Sequence, residues 1–384
     1  MIGKKIFLQK LTEQKTPFQS MKLTDTRFEG SSPPSVFIGK ANYPKVFAGP
    51  MLAREADSFV YDAPEQWLGR FGRNEIIDFR LQLLRGKKLV DVGNVTGSFA
   101  QQMQDIVLAQ QSVYTHAEFD RIPRGVTFSE DHQPFGPSAP LKQMETDTPR
   151  WQKDMEKAFY DYDLPAADAV VSLHDKGLAF TSLQKALSTG AFGRLKRRKL
   201  VPTRWSITAT DDILGKRALP EVKEQEVIQE YRVYESQGLS NYFAVMLTPT
   251  TWQYEAIEAF INVLGKRTFT FSDYEQYFGR KEYSEMGGCY YAQRSVIAQH
   301  LQKQQEQAGA FVFREVSEDY IPTGVWACRE LTRQALEQQP TTFSSMGDAL
   351  QYVHSKTQLG VPRLRQDMRL INDIGKQRKI TEFG

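Results

Sequence analysis

The chain has 384 residues, of which 40% are hydrophobic and 12% aromatic, enough for a buried core in two or three domains. Its net charge is only +3, from 49 basic and 46 acidic residues, which excludes a polycation that binds DNA over its whole surface. The lack of a bilayer-spanning apolar run, of a secretory signal and of a disulfide framework beyond two cysteines predicts a cytoplasmic protein with no membrane partner.

The first predicted elements are a helix, a strand and a second helix. Apolar residues recur at helical spacing between Asn74 and Arg85, and Asn74 suits the N-cap position. The apolar run from Lys88 to Val92 predicts a strand. After a glycine-containing turn, a helix is predicted in which four residues share one face: Phe99, Met103, Ile106 and Val107.

The second half of the chain gives a similar mixture. Residues 242–248 predict a buried strand, and the spacing of the apolar residues from Tyr254 to Leu264 predicts a helix. Val296 to Leu301 predict a further helix, followed by a strand over 310–316 and by a helix that carries Trp326 and Leu331. The fold class is therefore mixed α/β (α+β), with a larger N-terminal region, a smaller C-terminal α/β region and a flexible C-terminal tail.

The segment Leu89–Phe99 superficially resembles the strand, glycine turn and helix that bind dinucleotides or adenosyl groups. Gly93 and Gly97 lie four positions apart, but the full GxGxxG pattern is absent. A nucleotide- or adenosyl-binding enzyme that uses this turn is one alternative. An ordinary tight connection is the other.

Basic residues concentrate between Arg194 and Arg204, where six positions are basic and none is acidic. This density suits several phosphate contacts with release of counterions, and such binding is largely blind to base sequence. A solvated loop or helix end is the simpler interpretation of a charge run. The predicted DNA-binding residues are Arg194, Lys196, Arg197, Arg198, Lys199 and Arg204.

The carboxylates of Asp211 and Asp212 are oxygen ligands of the kind that magnesium prefers. Together with His174 they are candidate catalytic residues of a metal-dependent DNA repair nuclease. The alternative is an N-cap and turn before a helix, because neighbouring side chains in a strand face opposite ways. Magnesium is the cofactor expected if the protein is a nuclease, and otherwise none is expected.

The last eight residues have the spacing of a peptide that binds a PCNA-type DNA sliding clamp. Gln377 suits a small polar pocket, while Ile380 and Phe383 share one side of a helical turn and suit an apolar pocket. Such peptides usually end in two adjacent aromatic residues, whereas here Gly384 follows Phe383. Loss of one aromatic anchor predicts weaker binding. A frayed polar terminus is the alternative interpretation.

Six segments carry distinctive motifs, in chain order. They are Ser31–Pro50, Arg73–Gly86, Glu156–Arg194, Arg198–Asp212, Gly287–Val316 and the GVWACRE motif at Gly324–Glu330. In this order they resemble the archaeal Nre family of DNA repair proteins. The resemblance implies a role in the DNA damage response, a C-terminal clamp-binding box, and DNA and other repair proteins as partners.

The chain departs from the family pattern at its cysteines. Some family members begin with a zinc finger, but Cys289 and Cys328 lack the paired spacing of tetrahedral zinc ligands, so no structural zinc is expected. The predicted organisation is an N-terminal segment without a zinc finger, two Nre-type domains divided near residue 270, and a clamp-binding tail. Their bounds are residues 1–30, 31–269, 270–375 and 376–384.

Overall fold

A computed structural model describes residue 7 and residues 20–376 of the chain. Within these residues the protein has twelve strands and eleven helices, arranged in two compact units. Among the described residues, the first unit comprises residues 20–214 and Pro322–Trp326. The second comprises residue 7, Gly215–Ile321 and residues 327–376. Mixed α+β architecture is confirmed.

A six-stranded sheet forms the centre of the first unit, in the order β1-β5-β6-β4-β3-β2. Strands β4 and β6 pair in parallel, whereas the other neighbours are antiparallel. The strands are β1 (Arg27–Ser32), β2 (Val36–Ile38), β3 (Lys45–Leu52), β4 (Leu84–Asp91), β5 (Val113–Phe119) and β6 (Ser138–Thr146).

The helices of the first unit supply much of its core. Helix α2 buries Met103, Ile106 and Val107 on one face, as the sequence spacing predicts. Residues of β3, β5 and β6 belong to the same apolar cluster. The helices are α1 (Arg73–Leu81), α2 (Ser98–Leu108), α3 (Lys153–Tyr160), α4 (Ala166–Asp175), α5 (Phe180–Ser188) and α6 (Thr203–Glu224), the last of which continues into the second unit.

Three buried charges, the buried triad, connect separate elements of the first unit. Asp62, at the end of a 3₁₀ turn, lies 2.6 Å from the Arg80 guanidinium on α1 and 2.7 Å from Lys185 Nζ on α5. Ser35 donates a further hydrogen bond to the carboxylate. Burial alone would raise the pKa of Asp62, but the two cations outweigh it and hold that pKa below its ordinary value.

The second unit has its own six-stranded sheet, in the order β10-β9-β11-β8-β7-β12, with β9 and β11 parallel. Its strands are β7 (Tyr231–Gly238), β8 (Asn241–Thr248), β9 (Tyr254–Ile261), β10 (Thr268–Glu275), β11 (Gly309–Val316) and β12 (Thr341–Phe343). Its helices are α7 (Gly288–Gln304), α8 (Trp326–Leu336), α9 (Met346–Lys356), α10 (Val361–Asp367) and α11 (Leu370–Lys376).

The helix predicted from Tyr254 to Leu264 is wrong, because Tyr254–Ile261 form strand β9. This strand pairs with β10 on one side and β11 on the other, and all eight of its residues are buried. Burial on both faces removes the alternation that marks a half-exposed strand. The two glutamates within it, Glu255 and Glu258, broke the apolar run at positions that matched a helical spacing.

The predicted helix from Asn74 to Arg85 is too long. Helix α1 ends at Leu81, its N-cap is Gly72, and the following residues enter β4, where they pair with β3. The structure confirms the helix predicted where α2 lies and the strands predicted where β8 and β11 lie. It also confirms the two predicted helices that correspond to α7 and α8. The division predicted near residue 270 falls within β10. No helix in the described part of the chain is both long and apolar enough to cross a membrane.

Candidate nucleic-acid interface

The basic segment, residues 194–204, connects α5 to α6 and is fixed to its surroundings by backbone hydrogen bonds. The Leu200 amide donates to the Val92 carbonyl at 2.8 Å, and the Val201 amide donates to the Ser188 carbonyl at the same distance. Gly190 has φ +67°, and a Cβ there would lie 2.8 Å from the Lys199 carbonyl oxygen. Glycine thus permits the close return of the chain that places the cations.

Four side chains of the basic segment are exposed to solvent. No carboxylate within the described residues lies within ion-pair distance of them, so their charge is available to a ligand. These residues are Arg194, Lys196, Arg197 and Lys199.

Arg198 differs from its neighbours because it is buried. Its Nε donates to the Gly193 carbonyl at 2.7 Å, and its Nη2 donates to the Phe159 carbonyl at 2.7 Å. The guanidinium also lies over the rings of Phe159 and Tyr162, at 5.2 and 5.3 Å from their centroids. Burial lowers the pKa of Arg198, yet arginine remains charged at neutral pH. This side chain anchors the basic segment to the end of α3.

Arg204 already has a partner within the first unit. It lies on the first turn of α6, partly buried, and its Nε is 3.0 Å from the Asp131 carboxylate. Part of its charge is therefore offset by the protein itself.

A cavity of about 590 Å³, the basic groove, opens beside the segment. Four cations line it, namely Arg194, Arg197, Arg198 and Lys199, and none of its lining residues is acidic. The remaining lining is small or apolar and includes Gly190, Phe192 and Ala166. A concave surface with this lining attracts anions, above all phosphate groups.

The proposed nuclease residues lie on different helices. Asp211 and Asp212 lie in the middle of α6, where Asp211 is buried, whereas His174 lies near the end of α4. The predicted N-cap and turn at these aspartates is wrong, because the helix begins at Thr203. Consecutive residues on a helix point in different directions. Within the described chain, the ligand atoms of these three residues do not form a metal-binding group.

The Gly93–Gly97 turn is closed by its own side chains. The Gly93 amide donates to the Asp91 carboxylate at 2.9 Å, and the Gly97 amide donates to Asn94 Oδ1 at 3.0 Å. A phosphate cradle needs such amides to be directed at the ligand. This arrangement is that of a tight connection between β4 and α2.

One group of potential metal ligands does occur among the described residues, in the core of the second unit. Glu258, Cys289 and Cys328 are buried, and their ligand atoms lie within 4.8 Å of one another. Arg314 Nη1 donates to Glu258 at 2.7 Å and lies 3.6 Å from Cys289 Sγ. Because this guanidinium already supplies the positive charge, the residues fit a hydrogen-bonded core cluster better than a cation site.

Sequence reasoning missed the aromatic residues next to the basic segment. Tyr160 and Tyr162 are 57% and 47% exposed although their rings are large, and Trp151 stacks beside Tyr160. The signal available in the sequence was the presence of three aromatic residues among the four positions 159–162. The predicted clamp-binding residues, Gln377, Ile380 and Phe383, lie outside the described residues.

Comparison with known proteins identifies the family. The family model of the archaeal Nre N-terminal domain matches residues 5–263, and the family model of the archaeal Nre C-terminal domain matches residues 275–383. The chain belongs to the archaeal Nre family. The resemblance seen in the sequence motifs is therefore confirmed.

Curated Nre relatives match this chain over most of its length. It is 36% identical to the DNA repair protein NreB of Archaeoglobus fulgidus, over 92% of this chain and 91% of the relative. It is 33% identical to the DNA repair protein NreA of the same organism, over 85% of this chain and 84% of that relative. It is 30% identical to the DNA repair protein NreA of Haloferax volcanii, over 95% of this chain and 91% of that relative. No solved structure matches the chain.

Proposed function

We propose that this Nre protein acts in DNA repair, binds DNA phosphates through the basic groove and is brought to DNA by a PCNA-type sliding clamp. The repair role follows from its relatives, which are named as DNA repair proteins and match it over almost their whole length. The single observation that supports DNA contact is the set of exposed cations around the basic groove.

The groove suits a phosphate backbone for two reasons. Its cations come from a segment held by backbone hydrogen bonds and by buried Arg198, so binding orders only side chains. The protein as a whole is close to neutral, so this local concentration of charge determines where a polyanion binds. Contacts of this kind give affinity without base specificity.

The test is fluorescence anisotropy of labelled duplex DNA across a series of salt concentrations. The variant Arg194→Gln/Arg197→Gln/Lys199→Gln removes three exposed charges of the groove. Each lost phosphate contact should reduce the magnitude of the negative slope of log K against log salt by about 0.9, so this magnitude should decrease by about 2 to 3. Affinity should fall to a similar extent on unrelated DNA sequences.

The matched control removes three exposed cations from the second unit, in Lys266→Gln/Arg267→Gln/Lys303→Gln. It changes the net charge by the same amount, so it reports the effect of overall charge alone. Equal losses of DNA affinity in the two triple variants would show that the groove has no special role and would refute the DNA-binding part of the proposal.

Recruitment by the clamp is proposed from the spacing of Gln377, Ile380 and Phe383. Isothermal titration calorimetry of the full chain with the sliding clamp of the same organism should show saturable binding, and Phe383→Ala should abolish this binding. Thr381→Ala, which changes a residue between the anchors, should bind like the natural chain. Absence of binding by the natural chain would remove the clamp from the proposal and leave the basic groove untouched.

A further inference from the structure

A second cavity, the aromatic cleft, lies next to the basic groove. It has a volume of about 410 Å³, and Arg198 lines both cavities. One part of its lining consists of aromatic side chains at the end of α3 and beside it, namely Trp151, Phe159, Tyr160 and Tyr162. The cleft therefore combines an aromatic surface with an adjacent cationic one.

The rings of the cleft are arranged for contact with a flat ligand. Tyr160 lies 6.1 Å from Trp151 with 25° between the ring planes, so these two rings are nearly parallel. Phe159 meets the Trp151 ring edge-on at 5.0 Å and supports it from the side. Tyr160 and Tyr162 remain about half exposed, so they are available to stack on a ligand.

Helix α2 supplies a polar edge to the same cleft through Gln101, Gln104 and Asp105. The buried Gln104 amide is fixed by donating to the Val95 and Thr189 carbonyls, at 3.2 and 3.1 Å. Burial raises the pKa of Asp105, and a hydrogen bond with Trp151 opposes the rise. A carboxylate or amide oxygen at this edge can accept a hydrogen bond from the exocyclic amine of a base.

We infer that the aromatic cleft binds an unpaired nucleobase of a DNA strand whose phosphates lie in the basic groove. This inference rests on the proposed DNA-binding function and makes it more specific. Aromatic rings beside a cationic groove are the combination with which proteins hold single-stranded nucleic acid, because every base has a stacking face and every nucleotide a phosphate. Arg198 joins the two surfaces.

The experiment compares single-stranded and duplex oligonucleotides of one sequence, by fluorescence anisotropy with the 384-residue chain. Tyr160→Leu keeps an apolar side chain but removes the ring. It should weaken binding of the single strand by a factor of about 5 to 150, the effect of losing one stacked base. Duplex binding should stay the same, because its bases are already stacked. Tyr160→Phe retains the ring and should bind the single strand like the natural protein.

The outcomes separate this inference from the proposed function. If Tyr160→Leu binds both oligonucleotides normally while the groove triple variant does not, the cleft holds no base and DNA binding by the groove stands. If the natural protein binds neither oligonucleotide, both ideas fail.

A free nucleotide shares the chemistry of the base, so a second arm titrates thymidine monophosphate and deoxyadenosine monophosphate. Either one binding as tightly as the oligonucleotide would overturn the assignment to a DNA strand. Affinity at least tenfold weaker for both supports it.

Discussion

Replacement of Asp62 by Asn in the buried triad should destabilise the first unit severely. The side chains of Asp62, Arg80 and Lys185 are 3, 5 and 7% exposed, so neither cation can recover hydration where it lies. The amide keeps the size of the carboxylate but removes the one negative charge between two positive ones. Breaking a buried ion pair in this way typically costs about 3–5 kcal/mol.

The structure also gives a matched variant with a smaller effect. Lys185→Met removes one cation and leaves Asp62 paired with Arg80 at 2.6 Å, so no charge is left uncompensated. Its cost should be nearer that of lost hydrogen bonds, about 1–3 kcal/mol. The order of the two variants therefore tests the charge argument, since both alter the same cluster.

Differential scanning calorimetry of the full chain provides the measurement. The first unit has about 200 residues, and a domain of that size loses roughly 2–4 °C in Tm per kcal/mol. Asp62→Asn should therefore lower one unfolding transition by roughly 6–20 °C, and Lys185→Met should lower the same transition by less. An equal or larger shift for Lys185→Met would refute the reasoning.

Three further predictions concern single positions. Burial lowers the pKa of His132 to about 4, below the ~6.5 of a histidine in an unfolded chain. The contribution of this group to the unfolding free energy should therefore be complete above pH 6.5 and should fall by about 3 kcal/mol as the pH drops to 4. In urea titrations, His132→Phe should show a weaker dependence of the unfolding free energy on pH. Arg314→Met leaves buried Glu258 without its guanidinium partner and should cost about 3–5 kcal/mol in unfolding free energy. Gly190→Ala should lower Tm more than Gly177→Ala, because both glycines have positive φ but only Gly190 would bring its new Cβ against backbone, 2.8 Å from the Lys199 oxygen.

Each of these has a contradicting result. An unchanged pH dependence in His132→Phe would place the titrating group elsewhere. His116→Gln is the control for it, at a half-buried imidazole that lies 3.2 Å from the Glu29 carboxylate. A loss below about 1 kcal/mol for Arg314→Met would show that Glu258 finds other partners. Equal losses in the two glycine variants would show that backbone conformation alone, and not the approach of Lys199, sets the cost.

The spacing of apolar residues correctly predicted those elements that bury only one of their faces. Helix α2 is an example, since Met103, Ile106 and Val107 lie at helical spacing and face the core. Strand β9 was missed because both of its faces are buried by elements distant in the chain. Tyr254 contacts Tyr290 of α7 on one face, and Glu255 accepts a hydrogen bond from the Leu370 amide on the other. Burial that depends on elements far apart in the chain cannot be predicted from the spacing of residues within one strand.

The candidate site was predictable in charge but not in geometry. The density of basic residues located the segment, yet nothing local distinguishes buried Arg198 from exposed Arg197. The difference comes from the Phe159 carbonyl and ring, 39 positions away in the chain. The aromatic cleft was missed for the same reason, because α2, α3 and the basic segment meet only in the folded unit.

The lengths of the outer strands affect how the protein behaves at high concentration. One edge of each sheet is a strand of only three residues, β2 in the first unit and β12 in the second. A short edge presents few unpaired backbone groups to the edge of another molecule. Self-association through continued sheets, a common route to aggregation, is therefore disfavoured at β2 and β12 by strand length alone.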